Sequence, residues 1–311
     1  MMALLTRKRV ILAKIETTYG TDPTPTGAAN AILVRNLNVT PQSSQLVGRE
    51  IIRPYLGNFE QLMASTHVEL DFEVEAAGSG TAGTVPAYGC LLRACGLSET
   101  VTASTKVDYK PVSSAFESVT IYFNVDGVLH KITGARGDVE LNITSAQIPV
   151  FKFKFVGIYN APTDTALPTV TYANQATPLV ANSVNTPTFS FFSASPVLQA
   201  ISLQLGNQVD FRTLIGLQYV QITDRKVAGQ VTFEANAIAT KDWFTAGIAN
   251  TLGAVSLTHG TTAGNKVVIA SSTVDLIQPN YTDNNGVQMI QCGYVMTPTS
   301  AGNDEVTITI Q

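Results

Sequence analysis

Apolar and polar residues alternate with period two through much of the chain, a pattern that predicts β-strands. In residues 68–75, apolar side chains alternate with four carboxylates. Residues 150–155 alternate in the same way, with lysines on the polar face. Between them, Asp126-Gly127 separates two strand-like runs and predicts a tight hairpin turn. The pattern therefore predicts a mainly β protein.

Helix signals are few and short. Residues 86–95, closed by Gly96, and residues 241–252, closed by Gly253, each predict one short helix. Residues 161–187 contain spread prolines among Thr, Asn and Ala and show little periodicity. This segment predicts an extended Pro/Thr-rich connector between two domains.

The segments on either side of the connector follow a similar order: strand, irregular stretch, strand, short helix, further strands. The irregular stretches are residues 46–66 and 210–228. The predicted division is therefore domain 1 at 1–160, the connector at 161–187 and domain 2 at 188–311. The second half is shorter after its helix, and we expect the hairpin at Asp126-Gly127 to be the additional feature of the first half.

Composition narrows the function. Hydrophobic residues make up 45% and charged residues 14%, which excludes a disordered chain. A polar but weakly charged surface suits either a protein that buries its exterior against its own copies or an ordinary β domain with Thr-rich strands. The net charge of −4 argues against tight binding of nucleic acid, which depends on accumulated Lys and Arg.

Candidate chemistry is sparse. Residues 78–83 spell G-x-G-x-x-G, but the preceding strand alternates with acids, whereas a dinucleotide-binding strand is continuously apolar. A surface loop is the favoured interpretation. Cys90, Cys95 and Cys292 lack metal-type spacing, and Cys90 and Cys95 are interpreted as small core residues. We expect no enzyme activity and no catalytic, cofactor-binding or metal-binding residues.

Two further motifs allow more than one interpretation. Glu69, Asp71, Glu73 and Glu75 form either a solvated strand face or, if that face lines a channel, a negative wall. A catalytic pair of carboxylates is disfavoured because nothing separates an acid from a base. Lys152 and Lys154 are expected cross-strand from part of this row. The tripeptide Arg136-Gly137-Asp138 is expected at a turn between two strands.

Three segments resemble the tail tube (major tail) proteins of siphophages. They are residues 126–139, with their Gly134-Ala135-Arg136-Gly137 motif; residues 148–159, which begin Ile148-Pro149 and end in Gly157-Ile158-Tyr159; and residues 16–23, Glu-Thr-Thr-Tyr-Gly-Thr-Asp-Pro. The resemblance covers the first half, and the order of elements extends it to the second.

This resemblance implies a mainly β fold of two tail-tube-type β-sandwich or barrel domains, each with one short α-helix. It implies a structural subunit of a long non-contractile phage tail tube, assembled from stacked trimeric, pseudo-hexameric rings with an electronegative lumen that conducts double-stranded DNA. Glu69, Asp71, Glu73 and Glu75 are then expected to face the lumen. The two long loops are expected to contact the next ring through Arg49, Arg53, Tyr55, Phe59, Asp224 and Arg225.

The implied partners are copies of the same chain, the tape measure, tail terminator and distal tail proteins, and DNA in transit without specific binding. The implied location is the virion, after synthesis in the host cytoplasm, because no secretory pattern or membrane-length apolar run is present. Two alternatives stay open: another virion part with the same fold, such as a distal tail or baseplate hub protein, and a monomeric carbohydrate-binding β-sandwich.

Overall fold

A computed structural model of the chain describes residues 3–311, and its fold is mainly β, as predicted. The elements before the connector are β1 (Arg9–Ile15), α1 (Gly27–Asn30), β2 (Ala31–Ile32), β3 (Arg35–Gly48), β4 (Gln61–Glu75), α2 (Gly89–Ala94), β5 (Leu97–Thr102), β6 (Lys106–Pro111), β7 (Val119–Val125), β8 (Val128–Thr144) and β9 (Val150–Tyr159). The connector contains β10 (Thr163–Asp164).

The remaining elements are β11 (Thr188–Phe191), β12 (Leu198–Gln204), β13 (Asn207–Leu214), β14 (Leu217–Arg225), β15 (Ala228–Glu234), α3 (Trp243–Ile248), β16 (Gly253–His259), β17 (Val267–Asn284), β18 (Val287–Met296) and β19 (Thr307–Ile310). Both predicted helices are present, but each has only six residues, and α3 spans half of the predicted segment. In α3, the Asp242 carboxylate caps the first turn by accepting hydrogen bonds from the backbone N–H groups of Phe244 and Thr245.

Of the two stretches expected to be irregular, residues 210–228 are mostly strand, whereas more than half of residues 46–66 is irregular, as expected. Each forms an antiparallel hairpin, β3–β4 and β13–β14, and in the first only residues 49–60 at the tip lack regular structure. Their side chains are largely exposed, so no period-two apolar pattern announces them. Pairing between backbone groups, which sequence patterning does not report, forms these ladders.

One continuous antiparallel sheet, here called the joined sheet, crosses from the first half to the second. Its strand order is β3-β4-β9-β8-β12-β15-β18-β17. The junction is the pairing of β8 with β12, in which Glu140 lies opposite Gln204 and Thr144 opposite Ala200. The two halves therefore share main-chain hydrogen bonds.

The long strands β8 and β17 also enter a second layer. The N-terminal part of β8 pairs with β7, which continues to β1 and β2. The N-terminal part of β17 pairs with β16 and β19, and β16 continues to β11. Aromatic side chains such as Phe72, Phe153, Phe233 and Trp243 fill the core together with the buried residues of α2.

The pairing order repeats between the halves. In the first it runs β1-β7-β8-β9-β4-β3, and in the second β11-β16-β17-β18-β15-β12, with every pair antiparallel. The hairpin at Asp126-Gly127, expected to be extra, has a counterpart in β16–β17. The additional hairpin is β5–β6 instead, and β6 pairs with the C-terminal strand β19.

Candidate assembly surfaces

Strand β4 carries the acidic row, and the predicted alternation is present along it. Val68, Leu70, Phe72 and Val74 are buried in the core. The carboxylates between them lie on the opposite, more exposed side, and about half of the Glu69 side chain is exposed. Glu69, Asp71, Glu73 and Glu75 therefore share one face of the joined sheet.

Lysines interrupt the acidic row, as the cross-strand expectation proposed. Lys154 lies opposite Asp71 on β4 and opposite Asp138 on β8. Lys152, two residues earlier on β9, lies opposite Glu73 on β4 and opposite Glu140 on β8. Within residues 3–311, neither lysine comes within 4.0 Å of a carboxylate oxygen, so the rows are adjacent without close ion pairs.

The face as a whole still carries more acids than bases. Its ionisable side chains are Glu69, Asp71, Glu73, Glu75, Asp138, Glu140, Glu234 and Asp275 against Arg35, Arg136, Lys152 and Lys154, together with His67. The Arg35 Nε donates to Glu73 Oε2 at 2.8 Å. Burial raises the pKa of Asp138, although this carboxylate accepts hydrogen bonds from Gln204 and Asn207.

Sequence reasoning missed Asp138 and Glu140 as members of this face. Both belong to the run from Asp138 to Thr144, which also alternates with period two. The tripeptide was expected to form a turn, and this prediction is wrong: all three residues lie inside β8. A register shift between Thr133 and Arg136 marks a bulge at the motif, which bends the strand without ending it.

The side chain of Arg136 ties together parts of the chain that are distant in sequence. Its guanidinium donates to the backbone oxygens of Phe116 and Val220, each at 2.7 Å, and of Glu117 at 3.2 Å. It also lies 4.9 Å from the ring centroid of Tyr19. The side chain of Arg136 therefore connects β14, the loop before β7 and the segment after β1.

The tip of the β3–β4 hairpin contains four of the residues expected to contact another ring. Arg49 forms an ion pair with Glu60 across the base of the tip. The Arg53 guanidinium lies 4.2 Å from the ring centroid of Phe59 and 4.8 Å from that of Tyr55. These contacts order the tip around one arginine. The apolar side chains that the tip exposes are Ile51, Ile52, Tyr55 and Leu56.

The β13–β14 hairpin is used differently, because its stem packs on the first half of its own chain. Phe211 stacks on His67, with ring centroids 4.8 Å apart. Arg225 is 13% exposed and forms an ion pair with Glu305 at 2.6 Å, so its charge is engaged within the chain. Asp224 is more exposed and approaches Lys226 at 3.5 Å. The exposed apolar residues of this hairpin are Leu214, Ile215 and Leu217, at the tip.

The glycine-rich loop packs against another loop. The N–H of Gly80 donates to the backbone oxygen of Gly264 at 2.9 Å, and the N–H of Gly78 donates to Asn265 Oδ1 at 2.8 Å. A Cβ on Gly78 would lie 2.0 Å from the Gly264 oxygen, so glycine is required for this approach. Residues 78–83 thereby join the two halves.

Other candidate chemistry is limited in the part of the chain that the structure describes. Residues 3–311 contain no group of three or more His, Cys, Asp or Glu side chains arranged to hold a metal ion. No helix among them is long and apolar enough to cross a membrane. Burial raises the pKa of the Cys90 thiol to about 12, which keeps it protonated.

Both ends of the joined sheet are open. Among the described residues, strand β3 pairs only with β4, and the C-terminal part of β17 pairs only with β18. Such edges present unpaired backbone donors and acceptors. The open edges and the exposed apolar hairpin tips together define the class of this molecule: a structural β protein with surfaces suited to self-association.

A family model described as phage tail tube protein matches residues 6–311, and the chain belongs to that family. No curated protein matches it.

Proposed function

We propose that this structural tail tube subunit closes into rings that stack into the tube of a siphophage tail and conduct double-stranded DNA. The observation that carries the proposal is the joined sheet with its two open edges, β3 and β17. Pairing of one edge with the other edge of a neighbouring copy is a heterologous contact, which closes a ring when the rotation permits. The β8–β12 pairing inside one chain is the precedent for this contact.

The number of strands supports a trimeric, pseudo-hexameric ring. Three chains contribute about 24 strands, and a spacing of about 4.8 Å between strands corresponds to a backbone circumference of about 115 Å and a diameter of about 37 Å. Side chains narrow the bore by about 10 Å in total, and strand tilt widens it. Such a bore admits a DNA duplex.

The acidic face is proposed to line the bore. The second layer and the helices cover the other face of the joined sheet. If that face pointed inward in the ring, these elements would fill the bore. Glu69, Asp71, Glu73 and Glu75 would then repel phosphate, while Lys152 and Lys154 limit the repulsion between neighbouring carboxylates. DNA would pass without specific binding.

Stacking of rings is proposed to use the exposed hairpin tips. Ile52 and Leu56 at the ordered tip around Arg53, and Ile215 at the second tip, present apolar surface to a neighbouring ring. Asp224 lies on β14, at the base of that second hairpin. The ends of the tube would contact tape measure, tail terminator and distal tail proteins in a virion assembled from subunits made in the host cytoplasm.

Electron microscopy of the purified chain tests the proposal. Long tubes of stacked rings with threefold symmetry and a central bore are expected. Isolated rings that never stack would favour a distal tail or hub protein instead. A protein that stays monomeric at every concentration would contradict ring formation, and binding of that monomer to a carbohydrate array would favour the lectin-like alternative.

A further inference from the structure

An exposed apolar patch lies at the β17 end of the joined sheet. We call it the α3 patch and define it by Phe244, Ile248, Leu252 and Tyr281. Ile248 is 78% exposed, Leu252 53% and Tyr281 49%. The rings of Phe244 and Tyr281 pack with their centroids 5.0 Å apart, which places α3 against the part of β17 that lacks a second neighbour. A contiguous patch of this kind is typical of an interaction surface.

The corresponding surface in the first half is covered by the chain itself. The Asn207 Nδ2 donates to the backbone oxygen of Cys95 at the end of α2, at 2.6 Å, and to that of Gly137 on β8, at 3.0 Å. Ile222 on β14 lies against Gly96, just beyond α2, and is buried. The segment from β12 to β14 therefore covers both the end of the helix and the adjoining strand.

The counterpart of that covering segment is the β3–β4 hairpin, because β3 and β4 have the sheet positions that β12 and β15 have in the second half. The outer part of its stem is exposed, while His67, nearer the sheet, stacks on Phe211. Apolar side chains at the outer part of the stem, each about half exposed, are Leu46, Val47, Leu62 and Met63. On β14, by contrast, Val220 and Ile222 are buried. The chain thus has one unoccupied patch and one hairpin of matching kind whose outer stem is exposed.

We infer that the α3 patch binds the stem of the β3–β4 hairpin of a second copy, in the way that α2 and β8 are covered by the β12–β14 segment within one chain. The hairpin of the same chain cannot occupy the patch. It lies at the opposite end of an eight-stranded sheet, on the order of 34 Å away at the usual strand spacing. The inference rests on the proposed ring and adds a side-chain interface to the pairing of strand edges.

Two opposed charge substitutions test the contact. Ile248→Glu on the patch and Leu62→Lys on the stem each bury a charge if the surfaces meet, so each should raise the protein concentration needed for ring formation at least about tenfold. Both side chains are exposed in the single chain, so the melting temperature of the monomer should not change. The double variant should recover part of the lost assembly because its charges are opposite. Val101→Glu, at a half-exposed position on β5, is the matched control and should assemble like the wild type.

Assembly followed by light scattering and electron microscopy separates the outcomes. If the wild type forms rings and both single variants assemble at its concentration, the inferred contact is wrong while the proposed tube stands. If only Leu62→Lys impairs assembly, the hairpin binds elsewhere and the inference is overturned. If the wild type forms no rings at any concentration, the tube and the contact are both refuted.

Discussion

The carboxylate of Glu16 accepts a hydrogen bond from the backbone N–H of Gly134 at 2.7 Å. Gly134 lies at the bulge of β8 with a φ of +60°, and a Cβ there would lie 2.8 Å from the ring of Tyr19. The hydroxyl of Tyr19 in turn donates to the Gly134 oxygen and accepts from the N–H of Val220. The two motifs that carry the family resemblance, at residues 16–23 and around 134–137, are therefore in direct contact.

The buried Glu16 carboxylate leads to the first prediction. Besides Gly134, it accepts hydrogen bonds from the N–H of Gly20 and the hydroxyls of Ser118 and Thr120. In Glu16→Gln an amide N–H would point at one of these donors, so the free energy of unfolding should fall by about 2–3 kcal/mol. Urea unfolding measures this change. Glu50→Gln, at an exposed position, is the control, and an equal loss there would contradict the assignment.

The ion pair between Arg225 and Glu305 leads to the second prediction. Glu305 is 5% exposed, so Arg225→Ala leaves a buried carboxylate without its partner. Unfolding should become easier by about 3–5 kcal/mol. Lys226→Ala, one residue along, removes a cation that is 83% exposed and should change stability by less than about 1 kcal/mol. Similar losses in the two variants would refute the structural role of Arg225.

Two histidines, His259 and the partly buried His130, lead to a prediction about pH. Burial lowers the pKa of His259 and of His130 below the usual 6.5. Below that pH the unfolded chain binds more protons than the folded chain, so stability should fall as the pH falls through about 6.5. His259→Leu should weaken this pH dependence. The same substitution also removes the hydrogen bond with Thr186, and that loss should lower stability equally at every pH. Urea titrations between about pH 7.5 and 5.5 provide the slope, and an unchanged slope would contradict the prediction.

Charge on the acidic face leads to a prediction about DNA. Glu69→Lys places a cation beside the Lys154 row in every subunit, so assembled tubes should retain duplex DNA at least about tenfold better at low salt, and less as salt rises. Asp164→Lys makes the same change of charge on the exposed strand β10 and should leave retention at the wild-type level. Equal retention by both variants would indicate that residue 69 does not face the bore.

The sequence supported the strand content, both short helices and the acidic face, because each depends on patterns between neighbouring residues. Period-two alternation assigned the carboxylates of β4 to the face opposite Phe72, and Gly96 correctly marked the end of a helix. The sequence did not predict the hairpins β3–β4 and β13–β14, because prediction relied on patterns of buried and exposed side chains. Their side chains are exposed, and backbone pairing without a buried face leaves no periodic trace.

Long-range pairing was decided only by the tertiary structure. The junction of β8 with β12, the placement of β19 beside β6 and the burial of Arg225 against Glu305 join residues far apart in the sequence. No local pattern encodes which of several compatible strand edges meet, because backbone groups are alike in every strand. The sequence by itself determined a β protein with one acidic strand face. The fold determined that this face continues across both halves and ends at two open edges.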